Sequence, residues 1–596
     1  MDIWDAGFDT AELLAKKRKF KRELRAAGGL VPKKVAIVSG ATVGAVRDML
    51  EVYLLAAGIE PTFYEGGYGL FYENLVFDSG ALRDFAPDVL YIHTCFHNIQ
   101  RLPSPADTPE SAEALYQAEL TRFTQAALAA LGFGCPAILN NFDLPTARVL
   151  GNLDGADCRG GVRFVRRLNE ALAGLAARTP NLYLNDLAYL QAQCGMDAFS
   201  DQTAWCAYKY PCAIDKLPLL AKSAAAIIKS LFGRNKKALA LDLDNTLWGG
   251  VIGDDGPEGI VFGSETPTGM AYATFQHYLK ALGQTGVLLN VDSKNEAANA
   301  EAGFARADSV LKKEDFVAFK ANWQPKSENL TAMAKEINIL PESFVFVDDN
   351  PAEREIIRQQ LPGVAVPELG APEDYIKALD RSNWFEVTTL SADDTRRTEM
   401  YRQNARRAEL AGQFAGGAAN YGDYLKSLGM VGEFGHFDAP HVERITQLIN
   451  KTNQFNLTTR RYSAAEVEGL IGDAGHITLY GRLIDRFGDN GIVTALIGTL
   501  AGSTLTIDLW VMSCRTFKRE LEFALFDQLA AEARAAGVTK IIGKYLPTAK
   551  NLLVKDFYAT LNFALADETA AGARTFVLDG LDDCAPRCGV MEIRRV

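Results

Sequence analysis

Ala238-Leu-Ala-Leu-Asp242-Leu-Asp244-Asn-Thr246 joins an apolar run of strand length to two carboxylates two positions apart. The run reads as a buried strand, with the carboxylates at its C-terminal end. Such a pair can converge on one magnesium ion, or one member can attack phosphorus while the other moves a proton. Two further strands end in the same way. Val287-Leu-Leu-Asn-Val291 leads into Asp292-Ser293-Lys294-Asn295, and Phe344-Val-Phe-Val347 leads into Asp348-Asp349-Asn350. Between them, Lys326 precedes a helical stretch from Ser327 to Ile337. In open α/β sheets, sites gather at the carboxyl ends of strands. The expected edge therefore carries a nucleophilic carboxylate, a hydroxyl and a lysine for phosphate, and a second acidic pair. That is a phosphoryl-transfer inventory.

In order and strand context, these residues resemble the four motifs of the haloacid dehalogenase (HAD) superfamily. The resemblance implies Asp242 as nucleophile and Asp244 as general acid/base. It also implies phosphate held by Ser293, Lys294 and Lys326, and Mg2+ held by Asp242, Asp244, Asp348 and Asp349. DLDNTLWGGVIGDDG (242–256), DFVAFKANW (315–323) and FVFVDDNPAERE (344–355) narrow it to the FkbH-like branch, HAD subfamily IIIC. LINKTNQFNLTTRRY (448–462), RFGDNGIV (486–493) and YLPTAKN (545–551) extend it over most of the chain, from roughly Leu30 onward.

Members of that branch load a glyceryl unit from 1,3-bisphosphoglycerate onto an acyl carrier protein, and others are phosphatases. The implied activity is magnesium-dependent: a phosphorylated small acid passes its acyl unit to a carrier protein or releases phosphate. The alternatives are a phosphatase of polysaccharide or secondary-metabolite (polyketide) biosynthesis and a carrier-binding scaffold without turnover. One departure stands out. Glyceryl-transferring members have a cysteine before the second-motif serine, suited to holding a thioester; here that residue is Asp292.

The composition bounds these readings. The 596 residues provide for three or four domains, and 48% apolar with 23% charged residues is an ordinary soluble balance. A net charge of −12 gives no general field for nucleic acid. No apolar run reaches membrane-spanning length, and Met1-Asp-Ile-Trp-Asp5 has no leader pattern. Nine scattered cysteines suit a reducing, cytoplasmic setting. Cys584 and Cys588 form a close pair with no second pair to complete a zinc site.

The expected architecture is α/β in three modules. Residues 1–232 alternate strands and helices, as in an SGNH-hydrolase-like parallel-sheet module. Its first loop reads Ser39-Gly-Ala-Thr42, and Asp201-Gln-Thr-Ala-Trp205 lacks the expected late histidine. The module is expected to be a non-catalytic docking or oligomerisation domain, unless His93 or His97 serves Ser39. Its leading basic helix, 10–27, suits packing, a homo-oligomer contact or a membrane surface. Residues 233–390 form the HAD core; the 51 positions from Asp242 to Ser293 leave no room for a large cap.

Residues 391–424 form a helical linker whose Arg396, Arg397, Arg402, Arg406 and Arg407 offer either a basic patch for a carrier or a solvated face, ending in a Gly416-Gly417 break. Residues 425–596 resemble a GNAT-type acyltransferase fold. Where related proteins read RVLGRG, this chain reads Arg515-Thr-Phe-Lys518-Arg519-Glu520. The lost glycines argue against acetyl-CoA catalysis and leave Arg515, Lys518 and Arg519 as a pantetheine or carrier contact. Cys514 reads as a thiol acceptor or a small buried residue. The polar run Lys451–Asn456 with Arg460 and Arg461 lines a ligand cleft or fixes an interface.

Overall fold

A computed structural model describes residues 2–77, 79–414, 418–548, 550–581 and 585–596. The Gly416-Gly417 break and Cys584 lie outside the described residues, as does the side chain of Cys514. The chain is α/β and divides into two compact units.

The N-terminal unit comprises 8–234 with 463–465. Its five strands are β1 (Val31–Ser39), β2 (Ile59–Glu65), β3 (Val89–His93), β4 (Ala137–Asn140) and β5 (Leu182–Asn185). They are all parallel, in the order β2-β1-β3-β4-β5. β3 and β4 are buried along their whole length, because helices cover both faces. The helix Thr10–Ala27 is a packing helix: Leu13 is buried, and Lys17, Lys21 and Arg25 pair with Asp48, Glu51 and Glu60. Its basic side thus meets carboxylates of the unit's own fold.

The second unit takes in residues 2–7, 235–462 and 466–596. The N-terminal residues therefore belong here and not to the first module: Trp384 Nε1 donates to Asp2 at 2.9 Å, and Glu368 N donates to Asp5 at 3.2 Å. Its first sheet holds β6 (Ala238–Leu241), β7 (Leu288–Ser293), β8 (Phe316–Ala321) and β9 (Phe344–Val347), parallel in the order β8-β7-β6-β9. All four β6 residues are fully buried. Asp242 to Ser293 is spanned by a short helix (Ile252–Gly259), a bridge between Gly249 and Val261, a long helix (Pro267–Gln284) and β7. This segment contains no cap domain.

The second sheet is mainly antiparallel. It contains β10 (Met430–Gly435), β11 (Phe455–Asn456), β12 (His476–Asp485), β13 (Gly488–Ala501), β14 (Thr504–Met512), β15 (Lys540–Tyr545), β16 (Ala564–Glu568), β17 (Arg574–Asp579) and β18 (Met591–Arg595). The order is β16-β17-β15-β14-β13-β12-β10-β18, with β11 on β14. β14 and β15 run parallel only over Thr504–Ile507 and Lys540–Gly543. Beyond that, β11 pairs with Val511 and Met512, and Leu457 O accepts from Leu546 N at 2.8 Å. The chain thus fills the splay between the two strands with its own backbone. The helix Arg397–Gln413 is not a free basic face: Arg407 is buried against Asp485 at 2.8 Å, and Arg402 pairs with Glu399. Among the described residues, no helix is long and apolar enough to cross a membrane.

Candidate active site

Parallel pairing builds the site. β6 lies between β7 and β9, so the residues that follow each strand emerge at one edge. Asp242 N continues the ladder by donating to Val347 O at 2.9 Å. Asp242, Asp348 and Asp349 each offer a carboxylate oxygen, and these oxygens lie within 4.8 Å of one another. Asp348 is fully buried and Asp242 is 7% exposed.

Lys326, the first residue of the helix Lys326–Glu336, sets its ammonium 3.0 Å from Asp242 Oδ1 and 2.5 Å from Asp348 Oδ2. Burial alone would lower the pKa of Lys326; the charges of Asp242 and Asp348 outweigh it and hold it above the ordinary lysine value. Burial and the Asp242 charge push Asp348 and Asp349 above the ordinary carboxylate range, against the pull of Lys326. Three carboxylates share one ammonium, so the cluster carries excess negative charge in hard oxygen donors. Such a donor set fits Mg2+.

The Asp244 carboxylate lies outside this cluster of three carboxylates. Asn245, at φ 54°, turns the chain. Asp244 Oδ1 then accepts from Trp248 Nε1 at 2.9 Å and Ile252 N at 3.0 Å, while Oδ2 accepts from Asn295 Nδ2 at 2.9 Å. These donors orient the carboxylate, as a proton-transfer group needs. Ser293 is buried, and its hydroxyl lies 3.2 Å from Asn295 Nδ2. The Lys294 ammonium sits 2.5 Å from Glu353 Oε1.

The sequence reading passed over three positioning residues. Asn295 joins Asp244 to Ser293. The Thr246 hydroxyl accepts from Asp349 N at 3.2 Å. Arg354 Nη1 donates to the carbonyls of Asp348 and Asp349. Asn295 and Arg354 both sit within quoted motifs, but only a fold shows what they reach.

Asp292 lies beside this cluster and is fully buried. Its Oδ1 accepts from Asn329 Nδ2 at 3.2 Å, and its Oδ2 has no hydrogen-bond partner. Burial drives its pKa well above the ordinary carboxylate value, despite Lys326 and Asn329.

The carrier-contact residues do not form one surface. Lys518 and Glu520, at the two former glycine positions, keep φ values of 64° and 60°. The left-handed turn survives without glycine, at a cost of roughly 1–2 kcal/mol per residue. Arg519 is turned inward, where it pairs with Asp485 at 3.3 Å and donates to Asn404 at 2.7 Å. Arg515 donates to Ser513 instead. Glu522, buried in the first turn of the helix Leu521–Ala535, is pushed up to about 7 by burial and Glu520. Glu520, the residue before that helix, sets a carboxylate at its start, which opposes a pyrophosphate.

In the N-terminal unit, Ser39 is fully buried. Its hydroxyl lies 2.7 Å from Ala41 O and 2.9 Å from His93 O, and it accepts from Ala41 N. It faces backbone and not a base. His93 is equally buried, with Nδ1 3.1 Å from the Tyr91 hydroxyl, and burial lowers its pKa to about 4. His97 stacks on Trp205 with centroids 4.1 Å apart. Esterase activity sensitive to Ser39→Ala is accordingly not expected. A pH dependence of stability is expected. An unfolded histidine titrates near ~6.5, so the contribution of neutral His93 is complete above that pH and is lost as pH falls toward 4. Melting temperature against pH should show the loss, and His93→Gln should flatten it; an unchanged profile in the variant would reject the assignment.

The family model for the FkbH N-terminal domain matches residues 34–229. The N-terminal part of BF1531 from Bacteroides fragilis, containing a phosphatase domain and complexed with Mg, matches with a TM-score of 0.59 and 28% identity, over 64% of this chain and 100% of that one. This chain is FkbH-like.

Acetyltransferases match a smaller share. The Escherichia coli ribosomal-protein-S18-alanine N-acetyltransferase gives a TM-score of 0.20 at 13% identity over 25% of this chain and 93% of that one. The GNAT domain of S. lividans PAT gives 0.21 at 15% over 24% and 89%. No curated protein matches the sequence.

Proposed function

We propose that this FkbH-like chain is a magnesium-dependent phosphatase-type enzyme acting on a phosphorylated small acid. The observation that carries the reading is the convergence of Asp242, Asp348 and Asp349 around Lys326 at one strand edge. Asp242, Asp348 and Asp349 would hold Mg2+, which supplies charge neutralisation for the phosphoryl group.

The chain's own residues supply the rest. A carboxylate oxygen of Asp242 attacks phosphorus; the bond to the leaving oxygen breaks, and that oxygen takes a proton from Asp244. Asp244 then accepts a proton from the water that attacks the aspartyl phosphate, releasing orthophosphate and restoring Asp242. Lys326 offsets charge on the phosphoryl oxygens, and the Ser293 hydroxyl donates to one of them. Release of orthophosphate from phenyl phosphate should require magnesium, stop with EDTA and return on adding the ion; release indifferent to magnesium would sink the reading.

The finer reading concerns the acyl unit. Transfer to an acyl carrier protein would have to proceed without an enzyme thioester in the core. Asp292 occupies the thiol position, and no cysteine lies between Cys212 and Cys514. Incubation with 1,3-bisphosphoglycerate and magnesium should therefore leave the intact mass of the enzyme without a glyceryl increment. Asp292→Cys introduces a thiol, a far better acyl acceptor, and should allow one. An increment on the native chain, mapped to a cysteine, would overturn this account.

A further inference from the structure

With no cap domain between Asp242 and Ser293, the residues described so far hold only the phosphoryl group. None of them meets the group that leaves with the proton of Asp244. The loop between β8 and the helix Lys326–Glu336 supplies a side chain for it. β8 runs parallel beside β7, so this loop emerges at the same edge as Ser293. It carries Trp323, which is 68% exposed.

The loop is fixed to the site beneath it. Asn322 N donates to Ser293 O at 3.1 Å. The side-chain amides of Asn322 and Asn329 donate to each other, at 3.2 and 3.0 Å, and Asn329 Nδ2 also donates to Asp292 Oδ1 at 3.2 Å. Trp323 Nε1 donates to Glu296 Oε1 at 2.8 Å. An indole left mostly in water contributes little apolar burial to the fold, yet here its direction is set by a hydrogen bond. A large apolar surface held ready in one orientation suits contact with a ligand.

The hydrogen bonds of Asp244 place that surface. Its Oδ1 accepts from Ile252 N at 3.0 Å and its Oδ2 from Asn295 Nδ2 at 2.9 Å, so the carboxylate lies between two loops. Val251, just before Ile252, is 38% exposed. Glu296, just after Asn295, holds Trp323. The two loops adjoin: Asn295 Oδ1 lies 3.9 Å from where a side chain on Gly253 would begin. Val251 and Trp323 are thus the apolar members of the two segments that flank the proton donor.

From this geometry we infer that Trp323, with Val251, contacts the leaving group of the substrate, and that this group has an apolar face such as a ring or a short hydrocarbon chain. It is uncharged beyond its link to phosphate, because a second anion there would face the Glu296 carboxylate. For a phosphorylated acid, the carboxyl then carries the phosphate and the remainder is neutral. The inference rests on the phosphatase reading, since it takes Asp244 as the proton donor to the leaving oxygen.

The test compares benzoyl phosphate with acetyl phosphate, whose leaving acids are similar but whose apolar faces differ. In magnesium, Trp323→Ala should raise KM for benzoyl phosphate about tenfold and for acetyl phosphate far less, with kcat falling less than KM rises. Trp323→Phe, which keeps a ring, should recover most of the loss, and circular dichroism checks that both variants are folded. Acrylamide quenching reads binding without turnover. Trp4, Trp248, Trp384 and Trp510 are buried and Trp205 is half-buried against His97, so quenching reports chiefly Trp323. Benzylphosphonate with magnesium should shield it. Turnover with equal KM changes for the two compounds, or with none, overturns the inference. Magnesium-dependent release from neither compound overturns the phosphatase reading instead; shielding by benzylphosphonate then still supports Trp323 as the contact, and its absence rejects it.

Discussion

Asp242→Asn should reduce magnesium-dependent phosphate release by roughly 10³-fold or more while the chain remains folded. The size follows from the role: an amide oxygen does not attack phosphorus, and Asp348 and Asp349 have no in-line substitute to offer. The fold should survive because Lys326 keeps Asp348 as its partner at 2.5 Å, and because asparagine can still donate its backbone N–H to Val347. A residual rate within about tenfold of native would move the nucleophile elsewhere. Asp244→Asn separates the two roles. Its carboxylate lies outside the three-carboxylate cluster, so magnesium binding should persist while turnover falls. Magnesium affinity lost together with turnover would return Asp244 to the metal.

The central sheet was legible in the sequence because each of its site-bearing strands is an apolar run ending in a carboxylate pair or an Asp-Ser. β6, β7 and β9 lie where the runs place them, and parallel pairing alone then gathers 242, 293 and 348. Side-chain direction was not legible. Asp244 and Lys294 sit in the right motifs, and the fold sets them against Asn295, Trp248 and Glu353. Those partners lie between four and 59 positions away, and no periodicity signals them.

The basic helix after the core misled for a related reason. Counting arginines cannot reveal that Arg407 turns inward to Asp485, 78 positions further on. The second sheet was legible by its strands and not by its register. That β11 occupies the edge of β14 follows from the loop geometry around Asn456 and Asn551, where Asn551 Nδ2 donates to Asn456 O at 2.9 Å.

Lys326→Met should have the largest effect on stability. The ammonium is buried and, among the described residues, is the one cation in contact with both Asp242 and Asp348. Removing one partner from a buried ionic cluster costs about 3–5 kcal/mol, because the remaining charges stay in a poorly solvated place. In EDTA, urea unfolding should show a deficit of that order.

The deficit has a predictable sign with pH. Asp348 and Asp349 already have folded pKa values above the ordinary carboxylate range, so the fold prefers them protonated. Stability from such groups is fully present below the unfolded carboxylate value and is lost as pH rises through the raised one. Without Lys326 the preference strengthens. The gap between variant and native protein should therefore be small in acid and widen toward neutrality.

Magnesium should narrow the gap again, since an ion that binds only the folded cluster stabilises it by mass action. It should not restore turnover, because the phosphoryl oxygens still lack the lysine. A deficit indifferent to both pH and magnesium would mean that Lys326 merely fills space between β6 and β9, and that the carboxylates around it do not act as one charge cluster.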